Sequence, residues 1–317
     1  MKKSKRASAY HNPVLVSEVL KAFDLKSYAH LNKPCFVDAT VGLGGHAKEF
    51  VKRGIFVIGI DSDKNSLKIA EEVLSEACPT PLDRRDNIAV SRGCFKLLHG
   101  NYSEINNLVQ NVDRESVFGV LFDLGISSYQ LDDLERGFSF KGLDETLDMR
   151  LDVENQKVKA SDLLALLDNR KLKELFCVVL PENLAARIAH KVVRRRSEEV
   201  IATVGDFLEV IKPLIRKKGK VDSATLPFLA LRMAVNSEIE NLEKGLEGAY
   251  EILSVKGRLA VISFHSGEDR VVKNFFKYQE SQKKGRVITK KPIQPKDAEI
   301  SNNPRARSAK LRIFEKL

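Results

Sequence analysis

The sequence has no apolar run approaching the roughly 18 residues that a membrane span needs, which argues against an integral membrane protein. Its start, Met1-Lys-Lys-Ser-Lys-Arg-Ala-Ser-Ala, is basic, but no apolar stretch follows, so it does not read as a secretory signal. Cysteine is scarce: Cys35, Cys78, Cys94 and Cys177 lie far apart and show no CxxC spacing. That usage speaks against a zinc site and a disulfide framework, and fits buried thiols in a reducing, cytoplasmic compartment. Internal repeats and low-complexity segments are missing too. Net charge is absent from most of the chain. The 53 Lys and Arg against 43 Asp and Glu give a formal charge of +10, yet Arg270–Leu317 alone holds 14 basic and 4 acidic residues. The rest is therefore balanced. A neutral body with a basic end suggests a polyanion met by one part of the molecule; a solvated basic tail explains the charge equally well.

What is present is a chain of 317 residues, 43% hydrophobic, able to bury a large core. Its first half alternates strand and helix patterns. Cys35–Thr40 is a β-rich run ending in a Gly-rich turn, and a helix is expected over His46–Lys52. Ile55–Ile60 is a continuous apolar run, as for a strand buried on both faces. Lys64–Ala77 has helical spacing, followed by a Pro- and Arg-containing loop over Pro79–Gly93. Strands are expected at Phe95–Leu98 and Val117–Leu124, flanking a helix at Ser103–Val112. This order implies an α/β fold with a mostly parallel, doubly wound sheet. Between about Asp132 and Lys220 only helices are expected, at Ala160–Leu167, Lys171–Val179, Asn183–Arg196 and Val204–Arg216. Then come a helix at Asn236–Leu253, a strand at Arg258–Phe264, a helix at Glu268–Tyr278, and short β-type runs at Arg286–Thr289 and Lys310–Glu315. The simplest division is a discontinuous α/β domain, residues 1–134 and 221–317, interrupted by a helical insertion over 135–220.

The turn Asp38-Ala-Thr-Val-Gly42-Leu-Gly44-Gly45-His46-Ala47 follows a strand and opens a helix. Glycines there let a ligand approach the backbone beside a helix N-terminus. Asp61 closes the next strand, where a carboxylate can bind both ribose hydroxyls of an adenine nucleoside. Gly42–Ala47 also satisfies a permissive dinucleotide pattern, G-x-G-x-x-A, so a nicotinamide dinucleotide stays open on the turn alone. Asp38 is well sited for an ammonium and badly sited beside a pyrophosphate, which favours S-adenosylmethionine. After the expected third strand, Tyr102 offers a face on which adenine could stack. Asp123, Ser127, Ser128 and Gln130 follow the fourth strand, where ligands of open α/β sheets sit. For the serines, a turn or helix cap serves as well.

Longer stretches carry a resemblance. These are His11-Asn-Pro-Val-Leu, VDATVGLGGH (Val37–His46), GIDSD (Gly59–Asp63), FDLGISSYQLDDLERGFSF (Phe122–Phe140), LDMRLD (Leu147–Asp152), RMAVNSEIE (Arg232–Glu240), GRLAVISFHSGEDR (Gly257–Arg270) and NPRARSAKLR (Asn303–Arg312). In these motifs, running nearly end to end, the chain resembles the bacterial 16S ribosomal RNA methyltransferases that modify N4 of a decoding-centre cytidine, the ribosomal RNA small subunit methyltransferase H family. The resemblance implies a class I, Rossmann-like S-adenosylmethionine-dependent methyltransferase with a helical, substrate-recognising insertion. It further implies an enzyme acting in the cytoplasm on 16S ribosomal RNA in the small subunit, without a metal or a membrane. Carried over, the cofactor contacts are Gly44, Gly45, His46, Asp61, Tyr102, Asp123 and Gln130. Departures from the family pattern fall at Leu180–Leu184, Ala224–Arg232 and Gly267.

A cytosine amino group is a poor nucleophile because its lone pair is delocalised into the ring, so methylation needs acceptors for its N–H bonds and in-line placement. Asp123 and Ser127 are the expected catalytic residues, although the Pro-Pro-aromatic sequence that commonly follows such an acid is lacking. His265 is a candidate general base or, equally, a structural group. Asp148, Arg150 and Asn236 have no role derivable from sequence. Arg305, Arg307, Lys283 and Lys284 are the candidate RNA contacts, with Lys290 and Lys291 beside them. The competing readings are an S-adenosylmethionine-dependent enzyme acting on DNA or protein, and a ribosome-assembly RNA-binding protein with an idle cofactor pocket. Nothing in the sequence points to an oligomeric state.

Overall fold

The computed structural model describes residues 13–25, 34–78, 93–112, 116–215 and 224–317. His11 and Asn12 of the first motif, most of the Pro79–Gly93 loop and the expected domain boundary at 220/221 lie outside them. The chain forms two compact units, residues 1–127 with 239–317, and residues 128–238.

The first unit begins with α1 (Val16–Phe23), β1 (Pro34–Asp38), α2 (Gly45–Val51), β2 (Phe56–Asp61), α3 (Lys64–Ala77), β3 (Phe95–His99), α4 (Ile105–Gln110) and β4 (Ser116–Asp123). The second unit contributes α5 (Ser128–Asp132), α6 (Ala160–Leu166), α7 (Asn169–Cys177), α8 (Glu182–Glu198), α9 (Val204–Ile211) and α10 (Thr225–Val235). The chain then returns through α11 (Glu238–Ile252), β5 (Leu253–Ser263), α12 (Ser266–Ser281), β6 (Gly285–Val287), α13 (Asp297–Asn302) and β7 (Lys310–Lys316). No helix among the described residues is long and apolar enough to cross a membrane.

The seven described strands form one sheet in the order β3-β2-β1-β4-β5-β7-β6. The first five pair in parallel, whereas β7 is antiparallel to both β5 and β6. Apolar layers cover both faces. Phe23, Phe36, Phe50, Phe118 and Ile262 build one, and Val37, Ile58, Phe122, Leu246, Val261 and Phe276 the other. This double burial explains the unbroken apolar run in β2, which an alternating one-sided strand would not need.

One expectation is corrected, and the compact units divide at residues other than those expected. Cys78, at the end of α3, and Cys94, just before β3, form a disulfide with Cα atoms 6.0 Å apart, so the four cysteines are not all thiols. The antiparallel course of α3 and β3 brings together ends that are 16 residues apart in sequence, a separation that carries no pairing signal. The second unit begins at Ser128 and ends at Glu238, taking in residues 128–134 and 221–238, assigned above to the other domain. The reason is α10, which packs on α6 and α7. Its Pro227 sits in the first turn, where proline costs a helix nothing.

Gly119, midway along β4, permits close packing against the sheet. A Cβ there would lie 2.6 Å from two ring carbons of Phe23 and 3.1 Å from Phe36. Gly119→Ala should destabilise the protein by about 1–3 kcal/mol. A thermal melt would show this as a lowered Tm, and an unchanged Tm contradicts the packing.

Candidate active site

Every parallel strand reaches the same edge of the sheet with a polar residue: Asp38, Asp61, His99, Asp123 and Ser263 close β1 to β5. The turn after β1 is tied to its neighbours before any ligand is considered. The Asp61 carboxylate accepts the Gly42 N–H at 2.9 Å through Oδ2 and the Asp63 N–H at 2.8 Å through Oδ1. Thr40 Oγ1 accepts the Asp123 N–H at 2.6 Å, which fastens β1's exit to the end of β4. Gly44 caps α2 with φ 83°, in the left-handed region that favours glycine. A side chain at Gly45 would press on Pro13, 3.2 Å away. Each Asp61 oxygen retains acceptor capacity beyond its backbone bond, enough for ribose hydroxyls.

Behind this turn lies a cluster that the sequence did not reveal as one unit. His46, in the first turn of α2, is 5% exposed, and Asp38 is 1% exposed. His46 Nε2 lies 3.4 Å from Asp123 Oδ2, a charge contact longer than an ordinary hydrogen bond. Neither ring nitrogen of His46 nor Asp123 Oδ1 has a hydrogen-bond partner among the described residues. Buried polar atoms without partners are costly and uncommon. Burial pushes the Asp38 carboxyl up to about 7; His46 pulls it back, while Asp123 and Asp61 push further. Burial also disfavours the His46 imidazolium, yet the Asp123 carboxylate and the charges of Asp38 and Glu299 override this and move its pKa upward. Glu299, on α13, is held by the Leu15 N–H at 2.7 Å. Asp61 is pushed up to about 6, mainly by burial. An acidic hollow of this kind, with unused acceptors and an imidazole, suits a cation and a nucleoside sugar, and is hostile to a pyrophosphate.

The structure gathers Asp38, Gly44, Gly45, His46, Asp61 and Asp123 at this edge. Tyr102 follows β3 in a short 3₁₀ turn, half-buried, its ring edge-on to Phe122 with centroids 5.5 Å apart. Ser127 ends the first unit, half-buried, whereas Gln130 is buried on α5 of the second unit. His265 is the N-cap of α12: its Nδ1 accepts N–H groups of Gly267 at 3.2 Å and Glu268 at 3.4 Å. Its Nε2 lies 3.1 Å from Glu268 Oε1, so both ring nitrogens face the first turn of α12, as in a helix cap.

In the second unit, Asp148 and Arg150 form a two-point ion pair at 2.7 and 2.8 Å. Asn236 accepts from Leu151 N and Gln156 Nε2 and donates to the Met149 and Arg232 carbonyls. These residues wire the turn around Met149, whose φ is 64°. The departures from the family pattern divide between buried and exposed positions. Leu180 is buried, and Phe228 sits 4.7 Å from Phe140 and 5.1 Å from Phe207 by ring centroid. Pro181, Glu182, Asn183 and Leu226 are exposed, so these stretches reach the surface as well as the core.

The basic candidates divide. Lys310 pairs with Ser263, so Pro304–Ser308, with exposed Arg305 and Arg307, adjoins the acidic edge. Gly285 pairs with Lys316, which puts exposed Lys283 and Lys284 at the opposite edge, about 20 Å away along β7. The cause is α12, which spans about 24 Å and carries the chain from one edge of the sheet to the other.

Because the folded state holds Asp38 protonated well above its free value of 3.8, its contribution to stability is complete below about pH 4 and is lost as pH rises through about 7. Asp61 acts in the same sense. The ligand-free protein should therefore melt at lower temperature at pH 8 than at pH 5, and Asp38→Asn should flatten that slope and raise Tm at pH 8. An unaltered slope in the variant contradicts the assignment.

A sequence profile of the MraW methylase family matches residues 8–317. The chain is 39% identical over 309 residues to the ribosomal RNA small subunit methyltransferase H of Dictyoglomus thermophilum, covering 96% of each. It is 38% identical to the protein of that name from Persephonella marina, covering 97% of this chain and 99% of the relative. A Sulfurihydrogenibium relative of the same name is 37% identical, with coverage of 97% and 99%.

Proposed function

This chain belongs to the MraW methylase family, and we propose that it transfers the methyl group of S-adenosylmethionine to the N4 amino group of a decoding-centre cytidine in 16S ribosomal RNA. The substrate is the RNA within the small ribosomal subunit, in the cytoplasm. The observation that carries this reading is the cluster of buried Asp38 and His46 with half-buried Asp123, whose acceptors are unpartnered among the described residues, in a chain that aligns nearly end to end with proteins named for ribosomal RNA methylation.

The residues present fit this cofactor. Its sulfonium and ammonium suit an acidic hollow, and it has no phosphate to conflict with Asp38. Bound there, it supplies an electrophilic methyl group. The carboxylates of Asp38 and Asp123 provide counter-charge, Asp61 offers acceptors for the ribose hydroxyls, and Tyr102 offers an aromatic wall. Gly44 and Gly45 keep the turn open. Asp123 Oδ1, buried and unpartnered, is placed to accept an N–H of the target amine, with Ser127 four residues on as a second polar group. Holding the amine in line replaces a chance encounter with a fixed approach. The helical unit recognises the substrate, and Arg305 and Arg307 bind backbone phosphate beside the reacting edge.

Labelled methyl from S-adenosylmethionine should appear in the 16S RNA of intact small subunits from a strain lacking the modification, and mass spectrometry should place it on a cytidine N4. Label on protein or DNA instead would overturn the substrate. Asp123→Ala should reduce turnover by at least about 100-fold while circular dichroism stays unchanged; near-wild-type turnover would sink its role. Arg305→Glu with Arg307→Glu should weaken subunit binding and flatten its salt dependence more than Lys283→Glu with Lys284→Glu. A larger effect from the lysine pair would contradict the arrangement along the sheet.

A further inference from the structure

The functional reading leaves His46 with an unusual property. It is buried, faces Asp38 from β1, Asp123 from β4 and Glu299 from α13, and has no hydrogen-bond partner at either ring nitrogen among the described residues. Asp61 from β2 adds a further negative charge to the neighbourhood of Asp38. A residue needed only to line a cavity gains nothing from such surroundings, because an unbonded imidazole among carboxylates is neither apolar nor satisfied. What the surroundings do provide is a site whose proton depends on the other positive charges present.

We propose that His46 is the proton-handling partner of Asp123: the cluster releases a proton as the cationic cofactor enters and, through Asp123, takes up the proton that the target amine loses. The inference rests on the functional reading above. In methyl transfer the amine nitrogen forms a bond to the methyl carbon while the carbon–sulfur bond breaks, its electron pair going to sulfur. One N–H bond then breaks, and its proton passes to the Asp123 carboxylate and on to His46 Nε2, 3.4 Å from Oδ2. The positive charge lost at sulfur reappears on the imidazole, so the charge facing Asp38 and Asp123 is the same before and after. Without a cofactor, the Asp123 carboxylate 3.4 Å from Nε2 and the charges of Asp38 and Glu299 favour the protonated ring against its burial. A second cation nearby disfavours that form, which readies the ring as an acceptor. His46 thus acts through Asp123 as a positioning residue, and exchange of the spent cofactor for a fresh one returns the proton to solvent.

The test is a nuclear magnetic resonance titration of the His46 ring in the wild-type protein alone, with S-adenosylhomocysteine and with S-adenosylmethionine. The His46 pKa should be about 1–3 units lower with S-adenosylmethionine than with S-adenosylhomocysteine. Calorimetry in buffers of different ionisation heat should show proton release on binding only the former. His46→Gln should abolish that release and remove the acid limb from the pH profile of single-turnover methyl transfer. Identical titration in the two complexes overturns the proposal, as does an acid limb that survives in the variant. A variant that binds cofactor weakly but keeps the wild-type pH profile reduces His46 to a pocket wall. Should the wild-type protein methylate no ribosomal RNA, the substrate reading falls, and the titration still decides the proton linkage.

Discussion

A buried carboxylate and a buried imidazole meet the half-buried Asp123 at the carboxyl edge of the sheet, and the rest of the site is arranged around the cost of keeping them there. Charges out of water without full hydrogen bonding are unfavourable, yet Asp38 is all but sealed and His46 has no hydrogen-bond partner among the described residues. The fold tolerates this because β1 and β4 are rigidly paired, Asp38 lying opposite Leu121, and because both faces of the sheet are packed with apolar side chains. The strain is local, and the anchors around it are strong: Thr40 holds Asp123, and Asp61 holds Gly42. A ligand that brings positive charge relieves the cost, so the site is preorganised for what it binds and less stable without it.

The same sheet organises the positive charge. The basic end of the chain is no loose tail: β6, β7 and the 3₁₀ turn at Pro304–Ser308 are parts of the catalytic unit. β7 begins beside the acidic edge and ends at the far one. Arg312 is consumed within the fold, paired with Asp269 at 2.7 Å, and Arg286 pairs with Glu315. Of the exposed basic residues, Arg305 and Arg307 belong to the turn beside the acidic edge.

Much of this was legible from the residues. The Ile55–Ile60 run could only be a strand covered on both sides, and glycines between a strand and a helix marked the turn. The helices of the second unit showed in their apolar spacing. Less could be seen where distant segments meet. The Cys78–Cys94 bridge depends on the antiparallel course of α3 and β3, and α10 was not among the expected helices. Most of all, the contact between His46 and Asp123 exists because β1 and β4 are neighbours, which no local pattern states. His265 shows the reverse: its chemistry invited a catalytic role, and its backbone position makes it a helix cap.

The most direct test of this account is a crystal structure of the protein with S-adenosylhomocysteine. The account predicts the ribose hydroxyls on Asp61 and the sulfur end of the ligand beside Asp38, His46 and Asp123 at the carboxyl edge of β1 and β4. A ligand bound elsewhere, or one whose ribose leaves Asp61 untouched, would contradict it.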